Sequence, residues 1–427
     1  MSAHDASEFV YLDHAASSPQ RPEVTEAMAQ VAGLPGNPSA LHGIGRAARR
    51  RVEESREEVA ELVGCHPSEV LFTSGGTEAD NLAVLGGHEA AGPATAPVVT
   101  THTEHAAVTE AVGRLAAGGA PVRWAEVDAG GVLTASALAE AIEGLGEGGA
   151  RATLVSVVWG NNETGVLQDL PALAEVAGER GCVLHSDAVQ VLGHAPLDLS
   201  DPRLAGVGLV SLAAHKVGGP QGVGVLVARR GTGLAPTTFG GGQERRVRSG
   251  TVPVALTVGM AAAVRAAVGD AARGAARGAE SERVAHRAQG AEGAEGAEGA
   301  HGAEGARVRA LRTAFEERVV ALGIGARVTA SGSPRLDHIS HVTFEGCRSE
   351  DLLFLLDSHG IAVSAGSACS AGVNRPSHVL EAMGEPAPVA ASGLRFSWGW
   401  SSVAADGERA LAVLPEVVER ARAAAAV

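Results

Sequence analysis

Five short polar segments of the chain carry side chains that could do chemistry, and each directly follows an apolar run. The first is the turn Ser74-Gly75-Gly76-Thr77, which comes after the run Val70 to Thr73. Glycines between a strand and a helix let backbone amides approach an anion, and the helix dipole favours negative charge there. Thr77 could cap the helix and donate to a phosphate. Taken alone, the segment is better explained as an ordinary glycine turn, and it does not match a Walker A loop.

The other four segments place His105, Asn162, Asp187 and Lys216 after later apolar runs. Each residue has a common structural explanation: a surface histidine, a turn asparagine, an ion-paired aspartate and a solvated lysine. An aspartate at the end of a buried strand is nevertheless costly unless a positive group pairs with it. No cysteine or histidine pattern has the spacing of a zinc site, so we expect no metal.

The apolar runs that precede these segments alternate with helix-like segments from Val70 to Val227. This alternation predicts an α/β fold, with a large domain built on a mostly parallel central sheet. Ligands of such sheets lie at the carboxyl ends of the strands, so the five segments should meet at one edge. A phosphate turn, a buried Asp for a ring nitrogen and a Lys for a Schiff base are what pyridoxal 5′-phosphate requires. Together the segments therefore predict a pyridoxal-phosphate site.

Composition limits the classes of function. The 427 residues are too many for one compact core, which predicts more than one domain. A formal charge of −15 and an aromatic content of 3% disfavour direct nucleic-acid binding. No apolar stretch reaches membrane-spanning length, and the first residues lack the features of a signal peptide, so we expect no membrane association. Four cysteines are too few for a disulfide scaffold, which favours a cytoplasmic location.

We predict a large cofactor-binding domain over residues 14–262, and a smaller α+β domain formed by residues 1–13 and 263–427. Within the smaller domain, residues from about 269 to 309 are rich in Gly, Ala and Glu and offer little to bury. We interpret this stretch as a solvated low-complexity insertion without chemistry of its own.

Nine motifs of the chain occur in the order found in a known family. The chain resembles the class V aminotransferase-like enzymes of pyridoxal-phosphate fold type I, and within them the NifS/IscS group of cysteine desulfurases. The resemblance covers nearly the whole chain except the insertion. The motifs are Tyr11-Leu12-Asp13-His14-Ala15-Ala16, Gly36-Asn37-Pro38-Ser39, Phe72-Thr73-Ser74-Gly75-Gly76-Thr77-Glu78, Thr103-Glu104-His105, Asn161-Asn162-Glu163-Thr164-Gly165, His215-Lys216, Arg248-Ser249-Gly250-Thr251, Ser364-Ala365-Gly366-Ser367-Ala368-Cys369 and Leu394-Arg395-Phe396-Ser397.

The resemblance implies a role for each matching residue. Lys216 would form the Schiff base and shuttle the substrate's α-proton, and Asp187 would keep the ring nitrogen protonated. His105 would stack on the ring and handle protons at the substrate thiol. The other cofactor contacts would be Gly76, Thr77 and His215 at the phosphate, and Asn162 and Gln190 at the ring oxygen and substrate side.

The resemblance also implies how substrate and subunits are held. Arg395 would grip the substrate carboxylate in a two-pronged pair, helped by Asn37. Thr251 would reach the phosphate bound by a partner subunit, which makes the active unit a homodimer.

Cys369 lies in the motif that most sharply implies an activity. Its thiolate would attack the sulfur of bound L-cysteine, leaving a persulfide on Cys369 and releasing L-alanine. The persulfide would pass to an acceptor protein, either an iron–sulfur scaffold or an enzyme of tRNA or cofactor thiolation. Selenocysteine lyase, another class V aminotransferase or lyase reaction, and a non-catalytic dimeric scaffold remain as alternatives.

Two positions depart from the family pattern. Ala213 stands where the family usually has the Ser of its Ser-Gly-His-Lys motif, which removes a hydroxyl contact to the phosphate. We therefore expect weaker cofactor retention, since a hydrogen bond to a charged group contributes roughly 1.5–3 kcal/mol. Trp400 stands where relatives often have Arg, and the sequence offers no physical reason for it.

Overall fold

The structure, a computed structural model, describes residues 9–93, 95–144, 153–268, 303–365 and 376–425. Its strands are β1 (Val10–Tyr11), β2 (Val70–Thr73), β3 (Val98–Thr101), β4 (Val122–Ala125), β5 (Leu154–Val158), β6 (Val183–Asp187), β7 (Val207–Ala213), β8 (Gly224–Ala228), β9 (Ala326–Val328), β10 (Ile339–Phe344), β11 (Ile361–Ala362) and β12 (Gly393–Ser397).

Helices flank these strands along the described chain. They are α1 (Pro22–Ala32), α2 (Gly43–Val63), α3 (Gly76–Asn81), α4 (Gly87–Ala91), α5 (Ala106–Ala117), α6 (Ala135–Glu143), α7 (Leu170–Glu179), α8 (254–268), α9 (Ala303–Ala321), α10 (Ser349–Ser358), α11 (His378–Ala382), α12 (Ala387–Ala390) and α13 (Ala404–Ala425). A π-helical stretch, Leu82–Gly86, joins α3 to α4, so the helix that starts at Gly76 continues to Ala91.

A seven-stranded sheet forms the centre of the fold, in the order β2-β8-β7-β6-β5-β3-β4. Strands β3 to β7 pair in parallel, and β8 runs antiparallel to both of its neighbours. Every residue of β5 is buried, and the β-branched valines of Leu-Val-Ser-Val-Val suit a strand covered on both faces. The predicted α/β fold with a mostly parallel central sheet is confirmed.

Two smaller sheets belong to a second hydrophobic cluster. Strands β12, β10 and β9 form an antiparallel sheet, and β1 pairs in parallel with β11. Phe315 of α9 contacts both Phe396 and Trp398, with ring centroids 4.7 and 5.3 Å apart respectively. This cluster contains residues from both ends of the described chain, including Val10 and Val418.

Two predicted boundaries fall inside helices. The domain boundary at residue 262 lies within α8, whose Ala263 and Val264 pack in the larger core together with the central sheet. Residues 269–302 of the predicted insertion lie outside the described residues. Residues 303–309, the end of that predicted insertion, are the first turns of helix α9, where Arg309 pairs with Asp337 at 2.8 Å. Within the described part of the chain, no helix is both long enough and apolar enough to cross a membrane.

Candidate functional site

A cavity of about 640 Å³ opens at the carboxyl ends of the parallel strands. The polar segments singled out in the sequence meet there, although they are far apart along the chain. The predicted site residues that line the cavity are Gly76, Thr77, His105, Asn162, Asp187, Gln190, His215, Lys216 and Arg395.

Three predicted residues are not placed in this lining. Asn37 is exposed, and its side-chain oxygen accepts a hydrogen bond from the Ser39 amide at 2.9 Å. Thr251 is also exposed, although Arg248 of the same motif donates to Glu78 at 2.9 Å and so attaches this motif beside the cavity. Cys369 lies outside the described residues.

Lys216 ends a single 3₁₀ turn, Ala214–Lys216, that follows β7. Its Nζ donates to the backbone carbonyls of Ala15 and Ala16, each at 2.9 Å. These two carbonyls, 201 and 200 positions away in sequence, direct the amine into the cavity wall. Sequence reasoning did not assign them, because a backbone carbonyl leaves no residue-type signal.

Asp187 ends strand β6, where it is almost fully buried and accepts a hydrogen bond from the Val189 amide at 2.9 Å. Burial raises the pKa of this carboxyl, while His105 and Lys216 act in the opposite direction. The side chain therefore needs a positive partner if it is to remain ionised.

A second acid, Asp80, lies beside Asp187 and was missed in the sequence. Ligand atoms of Asp80, His105 and Asp187 lie within 4.8 Å of one another. Burial raises the pKa of Asp80 well above its usual value, and the charge of Asp187 raises it further. One carboxylate oxygen of Asp80 has no hydrogen-bond partner among the described atoms. A positive group placed at this end of the cavity, either a protonated ring nitrogen or a metal ion, would offset the negative charge.

The glycine turn after β2 forms another part of the wall. A side chain at Gly76 would place its Cβ 2.8 Å from a methyl group of Val189, so only glycine fits without a shift. Gly224 of β8 lies against the same turn, since a Cβ on Gly224 would lie 2.6 Å from the carbonyl carbon of Gly75. Gly75, Gly76 and Thr77 all line the cavity, so the start of α3 lies at this wall, where an anion site would need it.

Near this turn, His215 is hydrogen-bonded to the hydroxyl of Ser17, with 3.3 Å between its Nδ1 and Oγ. Burial, together with the charge of Lys216, lowers the pKa of His215 to about 4. The imidazole is thus neutral near pH 7 and would bind an anion by hydrogen bonding rather than by charge. Ser17 was not predicted as a site residue. It brings a hydroxyl group to the same cavity that Ala213 lines without one.

His105 caps helix α5, because its Nδ1 accepts a hydrogen bond from the Ala107 amide at 3.1 Å. In the neutral ring, Nε2 then carries the proton. The preceding residue, Glu104, holds this loop against β5: its Oε1 accepts hydrogen bonds from Thr101 Oγ1 at 2.7 Å and from the Val158 amide at 3.0 Å. The position of His105 is therefore set by a buried carboxyl next to it in sequence.

Arg395 extends from β12 into the cavity wall. Its guanidinium donates to Asp13 Oδ1 at 2.7 Å and to the Asn162 carbonyl at 2.8 Å, while Nε has no hydrogen-bond partner among the described atoms. Gln190 is held in a similar way, since its amide donates to the Ala15 carbonyl at 2.7 Å and accepts from His338 at 3.1 Å. Both side chains are thus oriented before any ligand binds, which lowers the entropy lost on binding.

Comparison with known proteins identifies chains of similar sequence and fold. Residues 10–289 and 305–409 match the family described as aminotransferase class-V. Over 420 residues, the chain is 44% identical to an IscS-like cysteine desulfurase of Mycobacterium tuberculosis, covering 97% of this chain and 98% of that protein. A solved NifS-like protein superposes with a TM-score of 0.80 at 29% identity, covering 96% of this chain and 100% of that chain.

A further solved structure, described as SspA in complex with cysteine, superposes with a TM-score of 0.71 at 28% identity. The similarity covers 92% of this chain and 99% of that one. These likenesses confirm the pyridoxal-phosphate fold type I expected from the motifs.

Proposed function

The chain belongs to the class-V aminotransferase family, among its cysteine desulfurases, and on that basis we propose that it removes sulfur from L-cysteine with the help of pyridoxal 5′-phosphate. The products are L-alanine and a persulfide on Cys369. The observation that carries the proposal is the meeting of Lys216, Asp187 and the glycine turn in one cavity. Lysine, a buried acid and an anion site are the three groups that bind this cofactor.

The residues present fit the cofactor. The carboxyl groups of Asp187 and Asp80 are buried together, and one oxygen of Asp80 has no hydrogen-bond partner among the described atoms. This pair of acids suits a protonated ring nitrogen. Amides of Gly76 and Thr77, with the neutral His215, would hold the phosphate, and Gln190 and Asn162 would contact the ring oxygen and the substrate side. Lys216 would bond covalently to the aldehyde carbon. When bound, pyridoxal phosphate supplies an electron sink for the electron pair released at the substrate's α-carbon.

The chain's own residues would move the protons. The Lys216 amine, held near the cavity by the carbonyls of Ala15 and Ala16, would take the α-proton and return it. His105, with its proton on Nε2, would donate a hydrogen bond to the substrate sulfur and so favour loss of the thiol proton. Arg395 would bind the substrate carboxylate through its guanidinium, which Asp13 already orients.

Cys369 would carry out the sulfur transfer. Its thiolate attacks the substrate sulfur, an S–S bond forms as the C–S bond breaks, and the protonated carbon skeleton leaves as alanine. The segment containing Cys369 starts beside the cavity, because Ser364 exchanges two backbone hydrogen bonds with Arg395, at 2.7 and 3.1 Å. Cys369 is four positions beyond Ala365 in the sequence, and four residues span at most about 14 Å.

Two assemblies follow from the proposal. A second copy of the chain would bring its own Thr251 to the phosphate, and the exposed apolar side chains of Leu41 and Phe239 would be covered in such a homodimer. A sulfur-acceptor protein, either an iron–sulfur scaffold or a thiolation enzyme, would receive the persulfide. A reducing cytoplasm would keep Cys369 available as a thiol.

The test is a visible absorption spectrum of the purified enzyme before and after adding L-cysteine, with alanine and sulfide assayed in the same sample. We expect a cofactor band that shifts with cysteine, and stoichiometric alanine. Cys369→Ser should keep the band and lose sulfide release, while Lys216→Ala should lose the covalent cofactor band.

Cys65→Ser is the matched control, because burial raises the pKa of Cys65 to about 12 and leaves it a thiol at neutral pH. This variant should behave as the parent does. Absence of alanine in the parent enzyme would refute the proposal, and product formed only from selenocysteine would identify a selenocysteine lyase instead.

A further inference from the structure

The segment from Ala15 to Arg21 runs alongside the turn that carries Lys216. The Ser18 amide donates to the His215 carbonyl at 2.8 Å, and the Arg21 amide donates to the Gly218 carbonyl at 2.9 Å. These two backbone hydrogen bonds lie on either side of Lys216 in sequence. The position of the lysine is therefore tied to the position of this N-terminal segment.

The side chain of Arg21 adds a third connection to the same turn. Its Nε donates to the carbonyl of Val217, the residue after Lys216, at 3.0 Å. The packing here is close: Gly218 has φ +79°, and a Cβ on it would lie 2.6 Å from Arg21 Cγ. The turn thus cannot move toward Arg21 unless Arg21 itself moves.

The outer end of Arg21 is fixed by two residues from distant parts of the chain. Both terminal nitrogens donate to Glu304, at 2.7 and 3.0 Å, in a two-pronged pair. The guanidinium also lies 5.5 Å from the ring centroid of Trp400, whose indole donates to the Pro19 carbonyl at 2.8 Å. A planar, permanently charged group held on two sides in this way has little freedom to reorient.

Both partners of Arg21 depend on the first two turns of helix α9. Glu304 belongs to the first turn, and Arg307, one helical turn later, donates to the carbonyls of Gly399 and Trp400 at 3.1 and 2.8 Å. The helix thereby holds the carboxylate and the backbone of the tryptophan at once. Trp400, which the sequence left unexplained, stacks on the cation that contacts the lysine turn.

We propose that Arg21, Glu304 and Trp400, here called the Arg21 cluster, position Lys216 for the reaction. Arg21 is a positioning residue, since it touches the turn rather than the substrate. Without Glu304, the buried guanidinium would lack its carboxylate and turn toward water, which breaks its hydrogen bond to Val217. The expected fall in kcat rests on the proposed function. The expected loosening of the segment that carries Ser18 and Arg21 does not.

The experiment compares Glu304→Ala with Glu408→Ala, which breaks an exposed ion pair between α9 and α13. Hydrogen exchange of the cofactor-free protein, read by mass spectrometry, follows the amides of Ser18 and Arg21. We expect them to exchange at least about 10-fold faster in Glu304→Ala and at the parent rate in Glu408→Ala. This readout does not depend on any activity.

The kinetic measurement uses the cofactor-loaded enzyme. A misplacement of about 1 Å can lower a rate about 100-fold, so we expect kcat to fall by about 10- to 100-fold in Glu304→Ala. KM for cysteine should change by less than about 3-fold, since uniform substrate binding is retained. If the enzyme does not act on cysteine at all, the proposed function fails while the exchange result still stands.

Arg21→Lys is the second variant. A lysine ammonium is a point charge and cannot contact Val217 and both oxygens of Glu304 together. It should therefore show the same faster exchange and lower kcat as Glu304→Ala. Parent-like exchange rates and kcat in both variants would overturn the proposal.

Discussion

Glu104 gives the protein a pH-dependent stability that can be worked out from its surroundings. The side chain is 1% exposed, and its Oε2 has no hydrogen-bond partner among the described atoms. Burial raises the pKa of this carboxyl from 4.5 to about 8, against the lowering effect of the hydrogen bonds from Thr101 and Val158. Near neutral pH, Glu104 is therefore a protonated acid in the folded chain and an ionised one in the unfolded chain.

The sign of the effect follows from the protons bound in each state. Between pH 4.5 and about 8, unfolding releases the proton of Glu104, so this residue makes the folded state less stable as pH rises. The slope is about 1.4 kcal/mol per pH unit, and it accumulates to about 5 kcal/mol over the whole interval. That is comparable with the total stability of many domains, which is about 5–15 kcal/mol.

The perturbation is Glu104→Gln, which keeps the shape and the acceptor oxygen but cannot ionise. We expect the free energy of unfolding of the variant, minus that of the parent, to grow by about 2.7 kcal/mol between pH 5.5 and 7.5. Urea unfolding of the cofactor-free protein, followed by fluorescence of its four tryptophans, measures this difference.

The matched control is Glu110→Gln, an exposed position on the helix that follows. The difference in the free energy of unfolding between Glu110→Gln and the parent should stay constant with pH. If the Glu104→Gln difference is equally flat, Glu104 is ionised in the folded protein and the reasoning from its burial is wrong.

Two further substitutions test the cavity wall and its support. Ala213→Ser should slow loss of the cofactor about 10- to 150-fold, because a hydroxyl beside Gly76 would add a charge-assisted hydrogen bond to the phosphate. The decay of the visible cofactor band on dilution measures the rate of loss. An unchanged rate would show that the Ser17 hydroxyl already satisfies the phosphate. Glu244→Ala should cost about 3–5 kcal/mol in urea unfolding, because the buried Arg56 guanidinium loses the buried carboxylate that it pairs with at 2.8 Å and keeps only the exposed Glu53, at 3.2 Å. Replacing both partners with Met and Leu should recover most of that loss, and a loss below about 1 kcal/mol in Glu244→Ala would mean that the pair behaves as a surface salt bridge.

The central sheet was predictable because its buried strands are continuous apolar runs bounded by polar turns. Strand β4 was missed for the converse reason: Val122–Ala125 includes Arg123, and only its last residue is buried. An edge strand that is half exposed does not produce the continuous run by which the central strands were found. The predicted insertion extends over the start of α9 because residues 303–306 have the same Ala, Gly and Glu composition as the residues before them, and Glu304 is tied to Arg21, which lies far away in the sequence.

The residue types of the site and their order along the chain were readable from the sequence, because each follows a strand whose carboxyl end must lie at one edge of a parallel sheet. That pattern led to the prediction of a pyridoxal-phosphate site, and the nine motifs led to the family, which the comparisons confirm. The sequence could not show Asp80 beside Asp187, Ser17 beside His215, or the Ala15 and Ala16 carbonyls at Lys216. These contacts join residues that are about 100 to 200 positions apart, and their distances are set by how the sheet, the N-terminal segment and helix α9 pack together. Protonation likewise depends on burial and on the nearest charges, which only the folded chain determines.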